Sequence, residues 1–464
     1  MFIDYIGSKV LLCTDTCTDK GNAMSHALTT GHNRPQQVIE ATHQANKTLA
    51  TATRQAKFAK MAASPYRFYR GSNHLYWHDV WHDWRFALFG GWPETQTWLQ
   101  GDAHVYNFGA YGHHDDQVRY GMDDFDDALI GDYQYDVWRL AISVVLDGRE
   151  NAELDPKAID KALKTLIEGY YKTLADHVDD KPVHAVTLDS AKGPLKAFMN
   201  KVADKQSRAR MLEKWTTLDE QKGRQFAERP GKLANLPADV ASQLGRLIEQ
   251  DYQQTLQHAI KESDLHHFCV KDTARRLGAG IGSLGTERYY VLIEGGVEHE
   301  HDDVILDVKE QATPEAFRLM DKTQQQAWRK LFPNEGIRHA AAFHAIAEHP
   351  DAYLGWLTMN GKVFSVRERS PFKKDMPTHK LSGSKSYRKM AQQWGEILAR
   401  EHLRGAQALN PGDPACFANA VCQRLKGREA QFVEVVSTLA VAYADCAEQD
   451  YAVFIDHFLA TNSP

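Results

Sequence analysis

Apolar residues recur at Ile159, Leu163, Leu166, Ile167, Tyr170 and Leu174, steps of three and four that place them on one face of a helix. Asp155 and Pro156, just before this run, supply an N-cap and a first-turn residue. The same periodicity predicts a helix near residues 335–349 and two C-terminal helices. One carries Tyr387, Met390, Ala391, Trp394, Ile397 and Leu398 on a single face, and the other runs over about 415–460. An Ala-, Gln- and Lys-rich stretch over 35–61 predicts a further helix, ended at Ser64-Pro65 because proline disfavours helix at the residue before it. Residues 180–262 read as charged and mostly helical, with Arg229-Pro230-Gly231 as a break. Near Phe268 glycine and β-branched residues take over, and 289–293, 304–309 and 362–367 predict a sheet interrupted by one helix. Alternation puts Val304, Leu306 and Val308 on one face of its middle strand and Ile305, Asp307 and Lys309 on the other.

This pattern predicts an α+β chain: a polar, Thr-rich leader over 1–34, a mainly helical part over 35–267, a sheet-rich part over 268–384, and C-terminal helices over 385–464 packing on the helical part. The 464 residues are 43% hydrophobic and 25% charged, which excludes a disordered or fibrous chain. A net charge of −6 offers no basic face for nucleic acid or an anionic membrane, so an anionic ligand must be held by local geometry. The apolar stretch 435–444 falls short of the about 20 residues that span a bilayer, and the N-terminus lacks a signal-peptide pattern, so a cytoplasmic protein is expected. Six cysteines are too sparse for a disulfide framework, and Cys13 and Cys17 have no second pair at metal-ligand spacing. His113-His114 and the run from Glu298 to Asp303 read as solvated residues rather than a zinc site.

The chemistry concentrates in Gly101-Asp102-Ala103-His104-Val105-Tyr106-Asn107, Asp123-Asp124-Phe125-Asp126-Asp127-Ala128 and Tyr135-Asp136-Val137-Trp138-Arg139. Residues 107–111 and 118–122 read as a hairpin that places Asn107 opposite Met122, with Asp124 two residues further on. A carboxamide oxygen and a carboxylate at one end of a hairpin suit a hard cation such as Mg²⁺. Asp102, five residues before Asn107, is then placed to orient or deprotonate a hydroxyl. Asp115, Asp116, Asp126 and Asp127 read as solvated turn and rim charges.

Asp102 to Asn107 resembles the catalytic loop of protein kinases and, more closely, of aminoglycoside phosphotransferases, with Asp124 and Asp136 similar to their metal-binding and structural aspartates. The resemblance implies that Asp102 is the catalytic base, that Asn107 and Asp124 hold Mg²⁺, and that His104 and Asp136 support the site. Gln100 stands where those enzymes have a histidine. A turn with Gly280, Gly282, Ser283 and Gly285 precedes a strand rather than a helix, which favours a hairpin lying over phosphates to a dinucleotide-binding turn. Lys309 is the expected counter-charge for a nucleotide phosphate.

In ordinary kinases the glycine-rich turn and lysine precede the catalytic loop, whereas here they follow it by about 170 residues. A circular permutation reconciles the order, with Leu398-Ala399-Arg400-Glu401-His402 on the helix that would lead into the catalytic loop. The acidic partner of Lys309 is not identifiable, since Glu335 and Glu348 both lack a distinguishing context; Arg70 and Arg367, near turns, could contact phosphate or carboxylate, with structural salt bridges the expected role of each. Most of the chain also resembles an uncharacterised bacterial family, domain of unknown function 2252. The segments that carry this likeness include Ser64-Pro65-Tyr66, Val308-Lys309-Glu310, Leu354-Gly355-Trp356, Tyr443 and Asp450. The expectation is therefore a two-lobed, permuted, kinase-like phosphotransferase using ATP and Mg²⁺ on an unidentified hydroxyl acceptor. Adenylyl transfer on the same fold and a non-catalytic nucleotide-binding module stay open beside it.

Overall fold

A computed structural model describes residues 33–459 apart from 113–116, 180, 222, 257–266, 279–284 and 296–301. Four helices open it: α1 (Arg34–Asn46), α2 (Thr51–Met61), α3 (Pro65–Gly71) and α4 (Asn73–Val80). The stretch expected as one helix is thus two, parted at residues 47–50. Ser64 starts the next helix instead of ending this one: its hydroxyl accepts the Arg67 N–H at 3.2 Å, and Pro65 follows where no intrahelical N–H is lost.

β1 (Gln96–Leu99), β2 (Phe108–Tyr111), β3 (Arg119–Met122) and β4 (Leu129–Asp132) come next, then α5 (Gln134–Glu150) and α6 (Pro156–Val178). The Asp155 carboxylate caps α6, accepting the Ala158 N–H at 2.9 Å. Residues 180–262 are less helical than their charge suggests. They form β5 (Val186–Thr187), α7 (Gly193–Lys205), α8 (Arg208–Trp215), the hairpin of β6 (Thr216–Asp219) and β7 (Gly223–Phe226), β8 (Leu233–Ala234) and α9 (Ala238–Gln250). The β-branched pair Thr216-Thr217 takes the chain from α8 straight into a strand.

β9 (Val270–Arg276), β10 (Arg288–Ile293) and β11 (Val304–Glu310) follow, then α10 (Lys322–Leu331), α11 (Glu335–Ile346), β12 (Gly355–Met359), β13 (Lys362–Glu368) and β14 (Lys374–Asp375). Two helices, not one, therefore interrupt the sheet. α12 (Gly383–Leu409), α13 (Cys416–Leu425) and α14 (Glu429–Phe458) close the chain, so the single helix expected over 415–460 is also two. The fold is mixed α+β, with fourteen helices among the described residues and antiparallel sheets.

The largest sheet has the order β12-β13-β11-β10-β9-β8. Val304, Leu306 and Val308 pack with Val291 and Phe364 against Leu244 and Ile248 of α9. Ile305 and Leu292 point the other way, onto Met211, Leu212 and Trp215 of α8. Each fully buried aliphatic side chain contributes roughly 1.5–3 kcal/mol, so the 180–262 segment stabilises both faces of this sheet.

The larger core joins α5, α6, α11, α12, α13 and α14 around Trp138, Tyr170 and Trp394. α14 is long and apolar enough to cross a bilayer by length and composition, and half of that apolar window is buried inside the fold. Arg34 of α1 ties it to α4, reaching Asp79 at 2.8 Å and Asp450 at 3.0 Å, while the Tyr443 hydroxyl donates to Asp79 at 2.9 Å.

α6 and α12 approach most closely at Gly395, where a Cβ would lie 2.0 Å from the Leu166 carbonyl oxygen. Gly395→Ala must push the helices apart, and urea unfolding should show a loss of about 2 kcal/mol or more; an unchanged midpoint would contradict this packing. α12 also buries Glu401, whose Oε1 accepts the Met122 N–H at 3.1 Å while Oε2 has no hydrogen-bond partner among the described residues. Burial pushes this carboxyl up to about 8, against the pull of Arg404. The native state then keeps a proton that the unfolded chain releases near 4.5, so stability falls as pH rises through that interval. Glu401→Gln removes the effect: its stability relative to the parent should rise steadily between those two pH values, whereas a constant difference would show that Glu401 ionises normally.

Candidate active site

β1 pairs antiparallel with β4, Leu99 opposite Leu129, and β2 pairs with β3, Phe108 opposite Met122. The connections 100–107 and 123–128 therefore leave the same end and lie side by side. The register differs by one residue from the expected one, since the Asn107 carbonyl accepts the N–H of Asp123, not Met122, at 3.2 Å. All residues of both strands are buried, so hydrophobic alternation carried no information about their pairing.

Asp136, in the first turn of α5, holds the first connection. Its carboxylate accepts the Gln100 N–H at 2.6 Å and the Gly101 N–H at 3.0 Å. Gly101 has φ +83°, and a Cβ there would lie 2.0 Å from the Asp127 carbonyl oxygen, so only glycine lets the two connections touch. Behind Asp136, His402 Nε2 lies 3.3 Å away and the Tyr170 hydroxyl meets His402 Nδ1 at 2.8 Å. Gln100 links the connections from the other side: Oε1 accepts the Asp102 N–H at 2.9 Å and Nε2 donates to the Asp124 carbonyl at 2.6 Å.

One turn beyond Asp136, Arg139 donates from Nε to Asp102 Oδ1 at 2.7 Å. Its guanidinium is fully buried, 4.3 Å from the Tyr69 ring centre and 4.9 Å from that of Tyr76. Burial pushes the Asp102 carboxyl up to about 7, with Arg139 pulling the other way. His104 is buried and held neutral, and Arg70 Nε donates to its Nε2 at 3.3 Å. Asn107 donates from Nδ2 to the Asp102 carbonyl at 2.9 Å, which directs its Oδ1 elsewhere. Burial alone would raise the Asp124 carboxyl, but Lys309, Lys373 and Arg367 hold it well below the usual carboxylate range.

Lys309 reaches in from β11 and pairs with Asp126, whose Oδ1 also accepts Gln311 Nε2 at 3.0 Å. Burial lowers the ammonium, but Asp124 and Asp126 outweigh it and raise it. Asp127 accepts Asn73 Nδ2 at 3.1 Å and the Glu315 N–H at 3.0 Å. Asp126 and Asp127 are thus not rim charges, because the second connection lies under the sheet instead of in solvent. The acid that holds Lys309 comes from this connection: Glu335 pairs with Arg338 at 2.6 Å and Glu348 with His184 at 2.8 Å. Fully buried Arg338 of α11 donates to the carbonyls of Phe125 at 3.0 Å and Ala128 at 3.2 Å, and Phe125 meets Phe343 edge-on at 4.7 Å.

Asp102, Asn107, Asp124, Asp126, Thr286 and Lys309 line one cavity of about 190 Å³. A neighbouring cavity of about 370 Å³ shares Arg70, Asn107, Asp124 and Lys309 with it. His104 lines the first cavity, while buried Asp136 braces it from behind. Of the glycine-rich turn, Gly280, Gly282 and Ser283 lie outside the described residues, and exposed Gly285 precedes cavity-lining Thr286. Arg70 and Arg367 do not form the expected salt bridges among the described residues. They bond His104 and the Asp123 carbonyl, at 3.3 and 2.9 Å, because both face the cleft and not a neighbouring acid. Elsewhere Glu294, Asp302 and Asp303 cluster, but Lys271 already pairs with Glu294 and Asp303, and Arg224 with Asp303. Sequence reasoning missed Arg139 and Arg338 as site residues; the signal for Arg139 was its position one helical turn after Asp136.

The family described as an uncharacterized protein conserved in bacteria, DUF2252, matches residues 50–457. The chain belongs to this family. The match spans both connections, β11 and the terminal helices, so every residue of the DUF2252 site named above lies inside it. No curated protein and no solved structure matches the chain.

The buried pair makes a direct prediction. Arg139→Met leaves Asp102 without its cation and should cost about 3 kcal/mol in urea unfolding, with part restored when Asp102→Asn is added. Strict additivity of the two changes would show that the charges are not coupled.

Proposed function

We propose that the protein is an ATP- and Mg²⁺-dependent phosphotransferase of kinase-like type that acts on a hydroxyl acceptor. The observation that carries this reading is the convergence of Asp102, Asn107, Asp124 and Lys309 on one cavity, from two adjoining connections and the strand beside them. These are the residue types among which kinase-like sites divide their work: a base, two oxygen ligands for metal, and a strand lysine for phosphate. α12 supports the permuted order, since its His402 reaches Asp136 and accepts the Thr97 hydroxyl of β1 on its carbonyl at 2.6 Å.

The donor set fits a hard divalent cation. Neither Asn107 Oδ1 nor the Asp124 carboxylate is engaged in an ion pair among the described residues, and both residues line the cavity. These two would hold Mg²⁺, which supplies charge neutralisation for the phosphates. Lys309 would exchange part of its pairing with Asp126 for a phosphate oxygen. Arg139 fixes Asp102 through Oδ1 and leaves Oδ2 without a hydrogen bond among the described residues. A carboxyl near 7 suits a general base at neutral pH: it would take the acceptor's proton as the acceptor oxygen bonds to the γ-phosphorus and ADP departs.

Thermal shift with and without Mg²⁺ tests the reading. ATP should stabilise the protein only when Mg²⁺ is present, and Asp124→Asn should lose that dependence. Asp102→Asn should keep Mg²⁺-dependent ATP binding while turnover of ATP falls by about 100-fold or more. Absence of stabilisation by any nucleotide, or parental turnover by Asp102→Asn, would overturn it.

A further inference from the structure

The larger cavity is built differently from the one around Asp102. Seven cationic and five acidic side chains line it. Arg288 pairs with Asp307, Lys373 with Asp123 at 2.8 Å, and Glu368 with Arg208, which lies outside the lining, at 2.8 Å. Asp375 resists ionisation because of burial and the neighbouring Asp123. Lys309 pairs with Asp126, outside the lining, and Asp124 stays ionised; against that one carboxylate stand four arginines, Arg70, Arg276, Arg367 and Arg369, none of which makes an ion pair among the described residues.

Neutral groups hold them in place. Arg276 and Arg369, from the two sides of the sheet's cleft face, each donate from Nε to the same Tyr290 hydroxyl at 3.3 Å. Both guanidiniums also lie over the buried Trp215 ring, at 5.6 and 4.7 Å from its centre. Arg367 donates to the Asp123 carbonyl at 2.9 Å and lies 5.7 Å from the Phe343 ring centre. A guanidinium positioned by neutral acceptors keeps its full charge, and half-buried cations gathered around one cavity repel one another. An anion with several oxygens removes that repulsion, and the planar fork of arginine matches a phosphate in two places at once. A neutral purine is poorly served here, since three of the four rings that line the cavity already face guanidiniums: Tyr106 that of Arg70, Tyr290 those of Arg276 and Arg369, and Phe343 that of Arg367.

We infer that this cavity binds a multiply charged phosphate, either the phosphate chain of the nucleotide or a phosphorylated acceptor, through Arg70, Arg276, Arg367 and Arg369. The inference rests on the phosphotransferase reading for the place of the reacting phosphorus, at the junction where Asn107, Asp124 and Lys309 line both cavities.

Calorimetric titration of the full chain with inorganic tripolyphosphate, without nucleotide or metal, tests the binding. Saturable binding is expected, weakened about tenfold or more in the Arg276→Gln/Arg369→Gln double variant. Arg367→Gln, whose guanidinium is held by the Asp123 carbonyl and not by Tyr290, provides a second check, and Arg369→Lys should bind with intermediate affinity because the charge stays and the fork is lost. No binding by the parent, or undiminished binding in both folded glutamine variants, would overturn the inference. Competition separates the sources: tripolyphosphate that displaces Mg²⁺–ATP marks the nucleotide's own phosphates, and tripolyphosphate that binds beside it marks a phosphorylated acceptor. Tripolyphosphate binding that depends on the arginines, without any nucleotide response, would overturn the phosphotransferase reading and leave this one standing.

Discussion

The Asp136 carboxylate accepts two backbone N–H groups from the turn at Gln100 and Gly101, and the positions of the other cleft groups follow from that grip. A carboxylate buried this completely must be satisfied, so the turn is fixed to the first turn of α5. The same helix then delivers Arg139 to Asp102 one turn later, and the captured Gln100 side chain reaches across to Asp124. One short stretch of one helix thus sets both the proposed base and the connection that carries the proposed metal ligand. His402 and Tyr170 extend the grip into the large helical core. Loss of packing in that core would therefore be felt at Asp102.

Two carboxyls around the cavity are driven in opposite directions. Asp124 lies near Lys309, Lys373 and Arg367, whose combined charge overcomes burial and keeps it ionised. Asp102 has burial as its dominant influence and a single arginine to oppose it most directly, so it resists ionisation. Separation of this kind would suit the first group to hold a cation and the second to exchange a proton near neutral pH, as the proposed function requires. The chain's net charge of −6 conceals the arrangement, because the cations that matter are gathered by the fold from α3, α5, β9, β11, β13 and the loop after it.

Much of this was legible in the residues. The face of α6 and the apolar face of α12 were readable because each helix buries one side and leaves the other partly polar, and the alternation of β11 because its two covered faces differ in residue type, one wholly aliphatic and the other carrying Asp307 and Lys309. Asp102, Asn107, Asp124 and Lys309 were singled out by type and spacing, and the fold brings them to one cavity. What could not be read depends on contacts between distant segments. The register of β2 on β3 was invisible because every residue of both strands is buried. Asp126 looked like an exposed turn residue because nothing local reveals that Lys309, 183 positions later, will settle on it. Arg139 was passed over because arginine is mostly a surface residue: its place one helical turn after Asp136 marks the side it faces, but not that its guanidinium is buried.

The segment over 180–262 is where fold and proposed specificity meet. α9 covers one face of the sheet and α8 the other, so the sheet that carries Lys309 cannot bury its apolar residues without this segment. Trp215 has two duties in that arrangement. Its indole fills the cleft-side face against Leu292 and Ile305, and the same ring supports the guanidiniums of Arg276 and Arg369. A smaller side chain at this position would open a cavity in the core and also release the two arginines from their platform. Stability of the sheet and the proposed selection of an anion would therefore be coupled through one side chain, which would limit how freely this segment can change while the site keeps its charge.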